Sequence, residues 1–104
     1  MYEKFTAERI AKLRTQKGVS ARDMSLSLGQ GESYVNKIEN GHAHPSQQGL
    51  YYIFEYLGVT PKEFYDDEVE DPVKLRRIVE NLKKLDDATL DHVGMVVQDL
   101  VDQT

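Results

Sequence analysis

The segment from residue 20 to residue 41 constrains the fold of this chain most, because it carries the start, turn and stop signals of two short helices. Ser20 is suited to cap the first helix, and Asp23 stands three residues later in the acidic capping-box position. Gly29 stands where the chain must turn sharply, which predicts a positive φ angle. Gly41 is placed to end the second helix. The segment therefore predicts two helices joined by a tight glycine turn.

The spacing of small and apolar residues indicates how these two helices meet. Ser25, then Gly29, then Val35 and Ile38 follow helix-turn-helix spacing. The small Ser25 side chain lets the helices cross closely, while Val35 and Ile38 turn one face of the second helix toward the core. The opposite face of that helix is then free to enter a DNA major groove.

The rest of the chain also predicts helices, with no alternating strand pattern and no internal repeat. Each predicted helix combines apolar residues at helical spacing with a cap residue, glycine or proline at its ends. In chain order, they run from about Thr6 to Lys17, from Ser46 to about Leu57, from Thr60-Pro61 through Tyr65, from Pro72 to about Leu85, and onward from the capped turn Asp86-Asp87-Ala88-Thr89. We therefore predict an all-α protein with a helix-turn-helix domain at residues 1–65, an acidic, solvated linker at 66–71 and a helical hairpin at 72–104.

The composition excludes several classes of protein. Cysteine is absent, which excludes disulfides and thiolate metal sites. No apolar run approaches the length of a membrane span, and the N-terminus lacks the apolar region of a signal peptide. We expect a cytoplasmic protein with no membrane partner.

The formal net charge of −5 is unevenly distributed. Residues 1–65 carry eight Lys/Arg and seven Asp/Glu, a balance of +1, whereas residues 66–104 carry five and eleven, a balance of −6. Attraction to phosphate depends on the local field rather than on the total charge of the chain. The N-terminal part is therefore compatible with DNA binding, although its electrostatic attraction is weak.

From Glu8 to Tyr65 the chain resembles the Cro/C1-type helix-turn-helix regulators, also called the XRE family. The segments that carry the resemblance are Glu8-Arg9-Ile10-Ala11-Lys12-Leu13-Arg14, Lys17-Gly18-Val19-Ser20, Lys37-Ile38-Glu39-Asn40-Gly41, Pro45-Ser46 and Leu57-Gly58-Val59-Thr60. The resemblance implies a lambda-repressor-like DNA-binding domain of five helices. It also implies a structural ion pair between Arg14 and Glu39 beneath the recognition helix.

Two positions depart from the family pattern. Ala21 stands at the start of the second helix, where family members often carry a glutamine that contacts the backbone. Arg22, the next residue, is a candidate replacement for that contact. Gly31 stands where the recognition helix often has a Ser or Thr cap, and glycine is an acceptable cap at a small cost.

The recognition helix is predicted to begin at Glu32, and its outward side chains are the candidate base readers. With the apolar residues facing inward, these outward residues are Glu32, Ser33, Asn36 and Lys37. Lys37 can donate to guanine O6 and N7, Asn36 suits adenine, and Glu32 can accept from cytosine N4. Alternatively, the Glu32 carboxylate complements the helix dipole, and Ser33 and Lys37 are plain solvated surface.

A second set of residues is predicted to contact phosphate: Arg22, Tyr34, Asn40 and His42. Tyr34 could instead pack on the preceding helix. A metal site at His42 and His44 is disfavoured, because two histidines without nearby cysteine or clustered carboxylates are a poor ligand set. No catalytic framework surrounds any Ser, His or Asp, so neither an enzyme nor a cofactor is predicted.

The function predicted from these features is sequence-specific transcriptional regulation, with repression through operator occupancy as the expected mode. The hairpin carries more apolar residues than one thin hairpin buries, which predicts either packing within the chain or a homodimer on a palindromic DNA operator. A protein partner acting on the hairpin is a further prediction. Two alternatives stay open: a DNA-binding antitoxin whose acidic segment engages a basic toxin, and a protein-interaction module of the same fold with weak DNA binding.

Overall fold

The computed structural model describes residues 2–104, with side chains from residue 3 onward. Within that range the chain is all-helical, as predicted, and contains no strand. The helices are α1 (Tyr2–Lys17), α2 (Ala21–Ser27), α3 (Tyr34–Glu39), α4 (Gln47–Leu57), α5 (Pro61–Tyr65), α6 (Pro72–Leu82) and α7 (Asp87–Asp102). The chain divides into two compact units, the first ending at Val73 and the second running from Lys74 to Thr104.

The helix starts in the first unit follow local side-chain chemistry. The Ser20 and Ser46 hydroxyls accept hydrogen bonds from the backbone N–H groups of Asp23 and Gly49, each at 3.0 Å. Thr60 opens α5 with a complete capping box, in which its hydroxyl and the Glu63 carboxylate each accept from the other residue's backbone. These interactions confirm the predicted caps, because each satisfies a backbone donor that a helix start leaves without a partner.

The ends of three helices differ from the prediction. α1 begins at Tyr2 rather than near Thr6, because nothing before Thr6 interrupts the helix and Thr6 is buried instead of serving as its cap. α3 begins at Tyr34 rather than Glu32, and α6 ends at Leu82 rather than near Leu85. At both places the chain forms a turn with i to i+3 backbone hydrogen bonds, from Tyr34 to Gly31 and from Leu85 to Leu82.

The core of the first unit joins all five of its complete helices. It is formed by Ile10, Leu13, Met24, Val35, Ile38, Ile53, Phe54, Leu57, Val59 and Phe64. Phe54 and Phe64 pack with ring centroids 4.6 Å apart, and Phe5 lies edge-on to Phe64. This core holds α2 and α3 against α1 and α4, so the apolar faces predicted from the sequence meet one another.

Arg9 is a buried cation whose partners are all backbone carbonyls. Its Nε donates to Phe64 O at 2.7 Å, and its terminal nitrogens donate to the carbonyls of Glu63, Asp66, Val69 and Glu70 at 2.9–3.4 Å. The carbonyls of residues 63 and 64 lie in the last turn of α5, where the helix dipole favours a positive charge. The guanidinium therefore closes α5 and fixes the chain that follows it.

The acidic segment 66–71 lies in the first unit. Besides the Arg9 contacts, the Glu70 carboxylate lies 3.1 Å from Lys12 Nζ, and Gln16 Nε2 donates to Glu70 O at 2.8 Å. The backbone of the segment is therefore held against α1, because its carbonyls satisfy a buried guanidinium, while residues 66–68 and 70 stay exposed. The predicted division at residues 65 and 71 into domain, linker and hairpin stays a prediction.

The second unit, residues 74–104, has helices but no buried core. Across 74–104, all of which the structure describes, no residue is buried. Asp86 caps α7 by accepting from Thr89 N at 2.8 Å, and that hydrogen bond lowers the pKa of the Asp86 carboxyl below its ordinary value. The apolar side chains of this unit are exposed to solvent to a large extent.

We expect Arg9→Met to destabilise the first unit by at least about 1.5–3 kcal/mol, the usual contribution of a single hydrogen bond to a charged group. Urea unfolding followed by tyrosine fluorescence measures this, because every tyrosine precedes residue 66. Lys12→Met is the matched control: Lys12 also contacts the acidic segment, but its ion pair is exposed, so its loss should cost about 0–1 kcal/mol. Equal stabilities of the two variants would contradict the role of Arg9.

Candidate nucleic-acid interface

Ser25 fixes the start of α3 on α2. Its side chain is fully buried. The hydroxyl donates to Ala21 O at 2.7 Å and accepts from Val35 N at 2.9 Å. The second bond satisfies a backbone donor in the first turn of α3, where the N-cap residue Ser33 makes no side-chain cap. The small residue predicted to let the helices cross closely therefore also joins them.

Arg14 and Glu39 hold the other end of α3. Arg14 Nε donates to Glu39 Oε2 at 2.7 Å, and its Nη2 donates to Oε1 at 3.0 Å. The third nitrogen donates to Val19 O at 2.8 Å, in the connection between α1 and α2. The two side chains are 19% and 11% exposed. This bidentate pair links α1, the α1–α2 connection and α3 beneath the recognition helix.

The ionisation of Arg14 follows from this geometry. The hydrogen bonds to Glu39 raise the pKa of the Arg14 guanidinium above its ordinary value, against a smaller opposing effect of burial. Because an arginine guanidinium is not deprotonated in proteins, Arg14 carries its positive charge in this pair. Because Arg14 is engaged from within, its charge is directed to the core of the motif rather than to DNA.

The four candidate base readers lie together on the outer surface of the motif. Glu32, Ser33, Asn36 and Lys37 are all exposed. Glu32 and Ser33 lie in the turn before α3, whereas Asn36 and Lys37 lie within α3. Asn36 Oδ1 accepts from Asn40 Nδ2 at 3.1 Å. Helix geometry places Asn36 and Lys37 on the side of α3 opposite Val35 and Ile38, and the exposed Glu32 and Ser33 directly precede the helix.

Arg22 and Glu32 form an ion pair across the motif, with Arg22 Nε 3.2 Å from Glu32 Oε2. Their side chains are 65% and 69% exposed. An ion pair this exposed contributes about 0–1 kcal/mol to stability. Arg22 is predicted to contact phosphate and Glu32 a base, and no sequence pattern predicts the contact between them. Because Glu32 precedes α3 by two residues, it lies outside the first helical turn that the dipole interpretation needs.

Tyr34 has a packing contact. It is half-buried against the core, and its hydroxyl lies 2.9 Å from where a Cβ on Gly49 would stand. Gly49 therefore lets the N-terminal part of α4 approach the Tyr34 ring. The Tyr34 hydroxyl therefore lies beside α4, and both packing on the preceding helix and a phosphate contact by the hydroxyl stay predictions.

The chain leaves α3 through a complete Schellman turn. Gly41, with φ of 77°, donates to Ile38 O, and His42 N donates to Lys37 O at 2.8 Å. This turn places Asn40 and His42 on the surface directly after α3. A groove of about 520 Å³ lies between this turn and the first half of α1, and His42 and His44 are among its lining residues. Within residues 2–104 no three histidines or carboxylates are grouped as metal ligands would be.

We expect the loss of either Arg14 or Glu39 to lower the free energy of unfolding by more than an exposed pair would. A fully buried pair costs about 3–5 kcal/mol when one partner is removed, and partial exposure should reduce that value. Thermal unfolding of Arg14→Met and Glu39→Gln measures the effect. The Arg22–Glu32 pair supplies matched controls, because Arg22→Met and Glu32→Gln remove an exposed pair from the same motif. Melting temperatures within the range of those controls would show that the inner pair does not stabilise α3.

Comparison with known proteins agrees with this geometry. Residues 10–64, more than half of the chain, match the family described as Helix-turn-helix. The uncharacterized HTH-type transcriptional regulator y4dJ of Sinorhizobium fredii is 27% identical over 73 residues, which cover 70% of this chain and 95% of that protein. No solved structure matches the chain, and no helix in the described part of the chain is long and apolar enough to cross a membrane. With α2 and α3 arranged as a helix-turn-helix inside the matched span, the chain belongs to the Cro/C1-type family of helix-turn-helix transcriptional regulators.

Proposed function

We propose that this protein is a sequence-specific DNA-binding regulator that represses transcription by occupying its operator. One observation carries the proposal: α3 is held from beneath by Ser25 and by the Arg14–Glu39 pair, while its polar outer face is exposed. The internal contacts fix the orientation of that face before DNA arrives. A rigid, polar helix face is what major-groove recognition requires.

Each outer side chain has a base edge that matches its hydrogen-bonding groups. The Lys37 ammonium donates to guanine O6 or N7, and the Asn36 amide both donates to and accepts from adenine. Ser33 suits more than one base, and Glu32 accepts from cytosine N4. Arg22, Tyr34, Asn40 and His42 are proposed to bind phosphate, which would orient the protein on the duplex. These roles require no cofactor, and none is proposed.

The proposed assembly is a homodimer on a palindromic operator. Two-fold symmetry would present two recognition helices to half-sites one DNA turn apart, about 34 Å. Action on DNA implies a location inside the cell. Control by a protein partner at the C-terminal helices is part of the same proposal.

A protein-interaction module of the same fold is the second candidate, and the Arg22–Glu32 pair favours it. The pair neutralises one of the cations on the outer surface, in a part of the chain whose balance is only +1. Weak attraction to phosphate is expected for such a surface. Selection of genomic fragments by the purified protein, followed by sequencing, separates the two candidates: recovery of one shared palindromic sequence supports the regulator, and recovery of random fragments supports the module.

On an operator identified in this way, we expect Lys37→Ala and Ser33→Ala each to weaken binding by about 1–3 kcal/mol, the usual contribution of a base contact. Titration at fixed salt measures the affinity. Lys62→Ala is the matched control, because it removes an equal charge from an exposed position on α5, away from the motif. Unchanged affinity for both α3 variants, with the fold intact, would contradict the assignment of this face to DNA.

We expect Glu32→Gln to separate two roles of this carboxylate. Losing the charge frees Arg22 and removes a repulsion toward phosphate, so affinity for unrelated DNA should rise at low salt and the gain should shrink as salt increases. If Glu32 also accepts from a cytosine, affinity for the operator falls by about 1–3 kcal/mol at the same time. No change on unrelated DNA would show that the Arg22–Glu32 pair has no influence on DNA binding.

A further inference from the structure

The C-terminal helix pair (residues 74–104) exposes two regular apolar rows. On α6 and the turn after it the row is Leu75, Ile78, Leu82 and Leu85, and on α7 it is Leu90, Val93, Val97 and Leu100. Both rows follow a 3-4-3 spacing, which is the core spacing of coiled coils and four-helix bundles. Except for Leu82 and Val93, which are partly buried, every member is exposed. These rows therefore have the pattern of a bundle core without the burial of one.

The two rows match each other in antiparallel order. Residues 83–86 connect α6 to α7, a length that joins antiparallel neighbours in helix bundles. Counting outward from that connection gives four pairs: Leu85 with Leu90, Leu82 with Val93, Ile78 with Val97, and Leu75 with Leu100. Leu82 and Val93, the partly buried residues, belong to the same pair. Even a fully closed two-helix hairpin would cover each row from one side only, and in this structure both rows stay largely exposed.

Additional apolar residues widen these rows. Val79 extends the row of α6, and Met95, Val96 and Val101 extend that of α7, with exposed fractions from 39% to 65%. Monomeric proteins rarely leave a contiguous apolar surface of this kind in water. An apolar arc this wide on α7 is suited to contact with two neighbouring helices rather than one.

Charge is segregated between the two halves of the pair. Residues 74–85 carry five Lys/Arg and one Glu, a balance of +4, whereas residues 86–104 carry five Asp and no Lys or Arg, a balance of −5. The acidity of the C-terminal part therefore lies in α7 and in the segment 66–71, and the α6 half is basic. A surface that is basic along one helix and acidic along the other is complementary to a second copy of itself.

We propose that the C-terminal helix pair is half of a four-helix bundle that a second copy of this chain completes, with α6 of each protomer beside α7 of its partner. In this crossed arrangement each basic helix has acidic neighbours only, and two-fold symmetry repeats every contact. Placing α7 beside the partner's α7 would bring two acidic helices together. The proposal deepens the proposed function, because it specifies the dimer that would read a palindromic operator.

The same charge pattern argues against a uniformly basic partner such as the toxin considered above. A basic surface would be attracted to α7 and repelled by the basic half, residues 74–85. An acidic partner would instead be attracted to residues 74–85 and repelled by α7. A second copy satisfies both halves at once, and this selects it as the occupant of the exposed rows.

Sedimentation equilibrium of the full chain without DNA tests the dimer. We expect a dimer at tens of micromolar, and we expect Val97→Asp to raise its dissociation constant by at least about tenfold, because the variant places a carboxylate in the bundle core. Gln98→Asp, with the same new charge one residue away on the polar side of α7, is the matched control and should change the constant by less than about threefold. A monomeric wild-type chain, or equal constants for the two variants, would overturn the proposal. Tyrosine fluorescence verifies that the first unit is intact in each variant, because all tyrosines lie within it.

Carbodiimide cross-linking tests which helices are neighbours. An equimolar mixture of ¹⁴N- and ¹⁵N-labelled chains identifies interchain products by mass, since they contain one peptide of each label. The crossed arrangement predicts interchain links from Lys83 or Lys84 to the aspartates of α7. Interchain links that join these lysines only to the partner's Glu80, or a dimer that gives no interchain link, would overturn it.

These measurements are independent of the DNA-binding proposal. A dimer that selects no operator sequence removes the proposed function and leaves the helix-pair assembly. An operator bound equally well by monomeric Val97→Asp removes the assembly and leaves the function.

Discussion

The six residues of α3 cannot form a stable helix by themselves, because isolated helices shorter than about 12–15 residues are marginally stable at best in water. Tertiary contacts must supply the stability, and they do so at both ends. The Ser25 hydroxyl accepts from Val35 N at the start, and Glu39 accepts the two-pronged hydrogen bonds of Arg14 at the end. These contacts use only the inner side of α3. The outer side of α3 is left to interact with DNA. Because the helix is too short to be stable without the inner contacts, the same contacts both stabilise it and fix the orientation of its candidate base-contacting side chains.

The cations of the first unit are used mostly within the protein. Arg9 and Arg14 are engaged by carbonyls and by Glu39, Arg22 pairs with Glu32, and Lys12 pairs with Glu70. A charge held in this way contributes less to the field that attracts DNA from a distance. Recognition must then depend more on short-range contacts of the outer face than on general attraction to phosphate. This is consistent with a DNA-binding fold in a unit whose residues 1–65 have a balance of only +1, and whose acidic segment brings the balance of residues 1–73 to −4, eight Lys/Arg against twelve Asp/Glu.

Local signals in the sequence predict the helices and their caps, because the side chains of Ser20, Thr60 and similar residues accept hydrogen bonds from backbone N–H groups only three positions away. The start of α3 was misplaced by two residues, since it depends on Ser25, nine residues before Tyr34. The acidic composition of segment 66–71 predicts solvated side chains, and residues 66–68 and 70 are exposed. Composition does not predict that the backbone carbonyls of the segment bind Arg9, more than fifty residues away. The sequence offered no signal for this contact, apart from the position of Arg9 on the apolar side of α1.

The weak attraction of a single first unit to DNA gives a physical reason for dimerisation through the C-terminal helices. A single first unit with few available cations can neutralise few phosphates, so it is expected to bind a half-site weakly. Joining two such units makes the second binding event intramolecular, so affinity rises through effective concentration and not through added positive charge. Exposed apolar rows on α6 and α7 suit that task, since burying them requires only another copy. The segregated charges add selectivity, because they favour a partner with the same pattern and oppose association with polymers of one sign, DNA included.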